Sequence, residues 1–245
     1  MSAQDKHAER AFFDNLTDEG DYDVLAERGY ARLLREFRRH LPIRSGAPLR
    51  CVDLGCGSGE ITARLAALDV DLELEGLDLS PNAVARARAR VPSATFHIGD
   101  IEATGFEAAS FDVVVLSAVL HHFPDLSRVT QECARILKPG GVALAYDPHR
   151  GNPFMRLYRC HDSPLYSSEG VTPNEEPVSR AKLEGAFRSA GFASSKAYPI
   201  SGVAFKYVES GAARIALPIY NALDRLLDVG PLRRFGSFLI TVARR

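Results

Sequence analysis

The stretch Val52-Asp53-Leu54-Gly55-Cys56-Gly57-Ser58-Gly59-Glu60 constrains this chain more than any other. An apolar run over 49–54 ends in three glycines at alternate positions, and a helix-compatible segment, 60–68, follows at once. Glycine adopts backbone angles closed to other residues and lets a ligand approach the main chain. The free N–H groups of the helix N-terminus would face that ligand. The pattern reads as a buried strand, a tight turn and a helix, with a nucleotide-like molecule bound at the turn.

The alternation continues downstream. Segments 49–54, 72–77, 94–98, 111–117 and 141–146 read as strands, and 60–68, 81–90 and 126–137 as the helices between them. Pro81 suits a first helical turn with Ser80 as its cap. Lys138-Pro139-Gly140-Gly141 ends a helix and turns into the next strand. Strands and helices in this order make an α/β fold, a parallel sheet with helices on both faces. Ligands of such sheets bind beyond the carboxyl ends of the strands. The glycine turn lies at one of those ends.

The flanks are less regular. Residues 1–20 read as loosely ordered. From 23 to 41, Tyr30, Leu33, Leu34, Phe37 and Leu41 keep helical spacing, and 42–48 reads as a linker. Residues 147–178 are rich in proline, serine and tyrosine with little periodicity, as expected of a functional loop or lid. Then come a helix over 179–190, late strands over 193–200 and 237–243, and between them an apolar helix. That helix carries Ile215, Ile219, Leu223, Leu226 and Leu227 on one face, with Pro218 starting or kinking it.

A chain of 245 residues fits one α/β domain, and a formal net charge of −1 gives no electrostatic case for nucleic acid. The short basic runs 35–39 and 233–234 read first as solvated helix faces and second as contacts to an acidic substrate or membrane headgroup. The polar first ten residues are no secretory signal, and no apolar run approaches the roughly 20 residues of a spanning helix. A cytoplasmic location is expected. Cys51, Cys56, Cys133 and Cys160 show no CxxC spacing and read as reduced thiols. With no paired ligand spacing, no metal is expected.

Two further strand ends carry acids. Asp78, nineteen residues beyond Gly59, is placed to accept hydrogen bonds from two ribose hydroxyls. In Gly99-Asp100-Ile101, a carboxylate and an apolar neighbour suit the edge and face of an adenine. With Phe111-Asp112-Val113-Val114-Val115-Leu116-Ser117, Leu120-His121-His122-Phe123 and Leu137-Lys138-Pro139-Gly140-Gly141, the region 48–147 resembles the class I S-adenosylmethionine-dependent methyltransferases.

The resemblance implies a Rossmann-like seven-stranded, mostly parallel sheet of order 3-2-1-4-5-7-6 with the last strand antiparallel. It implies S-adenosyl-L-methionine as cofactor and a role for each matched position. Asp53 organises the glycine turn and approaches the methionine amino group. Gly55, Cys56 and Gly57 form the backbone cradle. Asp78 and Leu79 hold the ribose, Asp100 and Ile101 the adenine, and Ser117 offers its carbonyl to the methionine ammonium. The domain reading is a helical lid over 1–47, a cofactor core over 48–147, and cap insertions over 148–178 and 201–234. A nicotinamide dehydrogenase is the competitor, but it wants G-x-G-x-x-G. Here the spacing is G-x-G-x-G, and Asp53 would repel a pyrophosphate while attracting a cationic sulfonium.

For the chemistry, His121, His122 and His149 are the candidate catalytic residues, histidine being the commonest base near neutral pH. The alternative for the His pair is shaping the methionine pocket or capping a helix. Asp147 and His149 follow the fifth strand on the ligand side. Phe12, Tyr22, Tyr30, Tyr158, Tyr166 and Tyr207 are further pocket candidates. The two insertions suggest covers over a small, partly apolar acceptor, a natural product or lipid-like molecule of secondary metabolism. The apolar helix also leaves open a homodimer surface or a peripheral membrane contact through 205–234. The competing expectation is a protein that keeps the cofactor without transferring methyl, as a regulatory module or a cofactor-assisted cyclase.

Overall fold

The computed structural model describes residues 5–19, 24–43, 46–203, 205–206 and 211–245. Seven strands form one sheet: β1 (Leu49–Leu54), β2 (Leu72–Asp78), β3 (Thr95–Ile98), β4 (Phe111–Ser117), β5 (Leu137–Pro148), β6 (Ser194–Ile200) and β7 (Phe238–Arg244). Their order is β3-β2-β1-β4-β5-β7-β6, with β7 antiparallel to both neighbours and the first five strands parallel. This is the expected sheet, with the expected reversal in the last strand. Because β1 to β5 run together, their carboxyl ends share one edge, where the loops after them emerge.

Side chains alternate across the central strands, and both faces are covered. Val52, Leu54, Val114 and Leu116 face α5 (Ser127–Ile136) and α7 (Arg180–Ser189), meeting Val129, Ile136, Leu183 and Phe187. Cys51, Val113, Val115 and Leu144 face α2 (Glu27–Arg38) and α3 (Glu60–Ala66), meeting Leu33, Phe37, Ile61 and Leu65. Helix α4 (Pro81–Arg90) starts as expected: Pro81 sits in the first turn and Ser80 Oγ accepts from Ala83 N at 3.0 Å.

The glycine turn needs its glycines. Gly55, Gly57 and Gly59 have φ of +74°, +52° and +80°. A Cβ on Gly59 would also lie 3.1 Å from the Ala87 backbone of α4. Gly59→Ala is therefore expected to lower stability by about 1–2 kcal/mol from the left-handed backbone alone. A urea titration reads this as a lower midpoint at unchanged slope.

Two expectations about the flanks change. Residues read as loosely ordered form α1 (Lys6–Glu19), and β5 starts at Leu137, taking in the Lys-Pro-Gly-Gly turn with a register shift against β4. Beyond β5 lie the short α6 (Pro153–Arg159) and, after β6, α8 (Gly211–Leu226). No described helix is long and apolar enough to cross a membrane. All four cysteines are free and buried.

Candidate active site

A cavity of about 640 Å³ opens over the carboxyl ends of the parallel strands. Gly55, Cys56 and Gly57 line it from the turn after β1. Asp78 and Leu79 line it from β2, Asp100 and Ile101 from the loop after β3, and Ser117 from β4. Parallel strands bring these four loop starts to one edge, so residues far apart in sequence become neighbours.

Asp78 ties the turn to its strand. Its Oδ2 accepts from Gly57 N at 2.7 Å and its Oδ1 from Ser80 N at 2.9 Å. Burial raises its pKa, opposed by these backbone donors. Asp53 lies behind the lining. It is fully buried, with Oδ2 accepting from Thr62 Oγ1 at 2.8 Å and Oδ1 from Ser117 Oγ at 3.2 Å. It therefore clamps α3 to β4 beneath the turn, and burial pushes its carboxyl up to about 6. The next residue after Ser117, Ala118, holds a left-handed φ of 51° at the cavity wall and donates its N–H to Tyr146 O at 2.9 Å.

Helix α1 closes this half from above. Lys6 binds the carboxylates of Asp100 and Glu102, and Ser80 Oγ donates to Asp14. Lys6, Glu9, Arg10, Phe12 and Phe13 all line the cavity.

The second half is built on the histidines. Leu120–His122 is a 3-10 turn that presents both rings to the cavity. Asp147, at the end of β5, accepts from His121 N at 3.0 Å, and the His121 ring Nδ1 lies 3.0 Å from the same oxygen. Asp147 is fully buried behind the imidazole, and burial pushes its carboxyl up to about 8. Burial, with His122 and Arg159 nearby, moves His121 well below the usual histidine range. His122 Nδ1 lies 3.3 Å from Thr172 Oγ1 and 3.3 Å from Glu9 Oε2, and Thr172 Oγ1 donates to Glu9 Oε1 at 2.6 Å. Burial lowers His122, but the Glu9 and Glu175 carboxylates outweigh it and raise its pKa overall.

His149 is not brought to the cavity. Its Nδ1 lies 2.8 Å from Gly236 O, and its backbone N–H donates to Ser237 O at 3.0 Å, so it fastens the loop after β5 to the start of β7. Tyr30, Tyr158 and Phe12 line the cavity, whereas Tyr166 packs on His161 outside it. Tyr22 and Tyr207 lie outside the described residues.

Sequence reasoning missed Glu9, Thr172 and Glu175. Glu9 was legible only through the period of Ala8, Phe12 and Phe13 on α1, while nothing local marks Thr172 or Glu175. His121, His122 and Glu175 offer nitrogen and oxygen atoms within 4.8 Å of one another, a set that could also hold a cation and that chain spacing does not reveal.

The buried acids predict how stability varies with pH. Asp53 and Asp147 titrate near 3.8 when exposed, but at about 6 and about 8 in the fold. Between those values the folded state binds more protons than the unfolded one. Their stabilising contribution is complete below about pH 4 and is lost as pH rises through 6 and then 8. Above about pH 6.5, where the lowered histidines are neutral in both states, the urea midpoint is expected to fall until about pH 8, and Asp147→Asn to flatten that fall.

A family profile described as "Methyltransferase domain" matches residues 52–145, from β1 to β5. The chain is 35% identical over 127 residues to 27-O-demethylrifamycin SV methyltransferase of Amycolatopsis mediterranei, covering 49% of this chain and 46% of that one. Residues 52–145 match the methyltransferase domain family, and the relatives and the fold support the class I S-adenosylmethionine-dependent methyltransferase superfamily. The chain spans about half the length of the curated relatives it matches.

Solved structures share the whole methyltransferase fold. One is from the complex between the Haloferax volcanii Trm112 methyltransferase activator and a methyltransferase: TM-score 0.66, 23% identity, 99% of this chain and 97% of that one. Another is the [4+2]-cyclase SpnF, with TM-score 0.64, 18% identity, and 100% and 98% coverage. At these identities the likeness is one of fold.

The superfamily's cofactor is S-adenosylmethionine, and the residues at the turn fit it. A Cβ on Gly57 would meet nothing within 4 Å, so its absence keeps the cradle open on the cavity side. Asp78 spends one hydrogen bond per oxygen on the backbone and keeps lone pairs for hydroxyls. The acids around the turn suit a cationic group and oppose a phosphate.

Proposed function

We propose that this methyltransferase transfers a methyl group to an oxygen, nitrogen or carbon atom of a small, partly apolar metabolite, a natural product or lipid-like molecule of secondary metabolism. When bound, the cofactor supplies an electrophilic methyl group on a sulfonium. The chain's own residues do the rest. Gly55, Cys56, Gly57, Asp78, Leu79, Asp100, Ile101 and Ser117 hold the cofactor, with Asp53 bracing the turn from behind. The acceptor occupies the half of the cavity lined by α6 and α8, where Met155, Leu217 and Tyr220 form an apolar wall and the exposed Phe154 and Leu157 stand at the mouth.

Of the three histidine candidates, His121 takes the proton from an oxygen or nitrogen acceptor. With Asp147 ionised, Nδ1–H donates to it, and the Nε2 lone pair, 3.7 Å from Glu175 Oε1, is the ring's accepting site. His122 positions α1 through Glu9, and His149 positions the loop after β5. The observation that carries this reading is one continuous cavity joining the glycine turn, the His121–Asp147 pair and an apolar wall. We place the activity in the cytoplasm, where the four cysteines stay reduced.

The test is turnover on a panel of apolar phenols, alcohols and amines. A product heavier by one methylene, formed one for one with S-adenosylhomocysteine, is expected from at least one member. We further propose that no metal takes part: dialysis against a chelator should leave turnover unchanged, and a loss restored by a divalent ion would assign His121, His122 and Glu175 as ligands instead. A cofactor-retaining protein of another kind would bind S-adenosylhomocysteine but consume no methyl donor on the panel.

A further inference from the structure

Helix α8 places its apolar stripe on the wrong side for a helix that packs by hydrophobic burial. Ile215, Ile219, Leu223 and Leu226, spaced four, four and three apart, form one face, and it is the outer face: they are 84%, 66%, 41% and 61% exposed. The opposite face is anchored: Leu217 and Tyr220 pack against the core beside two bound polar residues. Asp224, 1% exposed, accepts from Gly202 N at 2.6 Å, and Asn221 both accepts from Phe205 N at 3.0 Å and donates to Phe205 O at 2.9 Å. A surface helix ordinarily shows the reverse arrangement. The sequence periodicity predicts an apolar stripe, and in the fold that stripe covers no core.

The stripe is continuous with the cavity. Ile219 and Leu223 line its mouth together with the exposed Phe154 and Leu157 of α6. Basic residues flank it. Arg225 is exposed beside Leu226, Arg233 and Arg234 are exposed on the 3-10 turn Gly230–Phe235, and Arg156 is exposed on α6. Over 225–235 the chain carries three arginines and one acid, Asp228, which is held by Arg32 at 3.1 Å and lies 3.6 Å from Arg233. An apolar strip bordered by arginines is complementary to a bilayer with anionic headgroups: acyl chains take the aliphatic side chains, and phosphates take the guanidiniums. A second copy is a poorer occupant, because a two-fold pairing of this face would bring the same arginines of both chains to one rim.

We propose that the outer face of α8, with the turn that follows it, docks on an anionic lipid surface and opens the cavity mouth toward the membrane. The acceptor then enters from the lipid phase. That last clause rests on the methyl-transfer reading; the docking does not.

The experiment is cosedimentation of the full chain with vesicles of phosphatidylcholine alone and of phosphatidylcholine mixed with phosphatidylglycerol. Wild type is expected to pellet with the mixed vesicles. Ile215→Asp/Leu226→Asp should weaken binding about tenfold or more, since two aliphatic anchors become charges. Neither residue lines the cavity, so the affinity of this double variant for S-adenosylhomocysteine should equal that of wild type, which also reports that it folds. Arg233→Gln/Arg234→Gln should remove the preference for the anionic vesicles. Wild type left in the supernatant with both vesicles overturns the proposal. So does a dimer, seen by light scattering, that the Asp double variant converts to monomer. Failure of turnover with docking intact would strike the function reading alone, and failure of docking with turnover intact would strike this one alone.

Discussion

Asp78→Ala should weaken S-adenosylhomocysteine binding at least ~100-fold. The carboxylate accepts from Gly57 N and Ser80 N, so its removal leaves two N–H groups without partners at the cavity wall. Each such loss costs about 1–3 kcal/mol. The ribose hydroxyls would lose a charged acceptor as well, worth about 1.5–3 kcal/mol per bond. The two hydroxyl bonds together, about 3–6 kcal/mol, exceed the 2.7 kcal/mol or so of a hundredfold change. Asp78→Asn should fall between, since its single carbonyl oxygen replaces one acceptor and its amide faces an N–H. Calorimetric titration reads both. Wild-type affinity in Asp78→Ala would remove Asp78 from the ligand assignment.

The second large effect concerns the buried pair. For an oxygen or nitrogen acceptor, His121→Ala should lower kcat by about 10²–10⁴, the range that positioned proton transfer contributes. Asp147→Asn tests the mechanism more finely. An asparagine would keep a carbonyl oxygen for the His121 backbone N–H and Nδ1–H but carry no charge, so the imidazolium formed on proton transfer would lose the carboxylate that stabilises it. Its kcat should fall by a comparable factor with the structure intact. The wild-type rate should rise with pH through about 8, where the buried Asp147 carboxyl ionises, and Asp147→Asn should lose that limb. Binding of S-adenosylhomocysteine should change little in either variant. A flat pH profile in wild type would leave His121 and Asp147 a structural role only.

The half of the site around the glycine turn was legible because it is local. Each residue follows a strand by a fixed short interval: Gly55 after β1, Asp78 at the end of β2, Asp100 after β3, Ser117 at the end of β4. A parallel sheet then gathers strand ends without further information. The other half depends on distant encounters. Glu9 and Thr172 meet at His122 from 163 residues apart, and no periodicity encodes that. Helix α1 looked loose because its aromatic residues face the cavity instead of a core, so its pattern lacks the weight of α2.

The remaining differences share one cause. Periodicity gives the spacing of an apolar face but not which side meets water, and α8 turns its stripe outward because Asn221 and Asp224 are bound to the backbone of the 202–205 loop. His149 follows β5 by the expected interval, yet its ring turns to Gly236 because β7 runs beside β5 there. A contact between residues 87 positions apart decided that orientation.

Methyl transfer from this cavity is open to direct measurement. The direct measurement is mass spectrometry of the acceptor panel after incubation with a methyl-labelled S-adenosylmethionine. The expected result is a labelled product heavier by one methyl-for-hydrogen exchange, with one S-adenosylhomocysteine per product, and its loss in Asp78→Ala. Tight cofactor binding with no labelled product and no cofactor consumed, across oxygen, nitrogen and carbon acceptors of the apolar class, would contradict it.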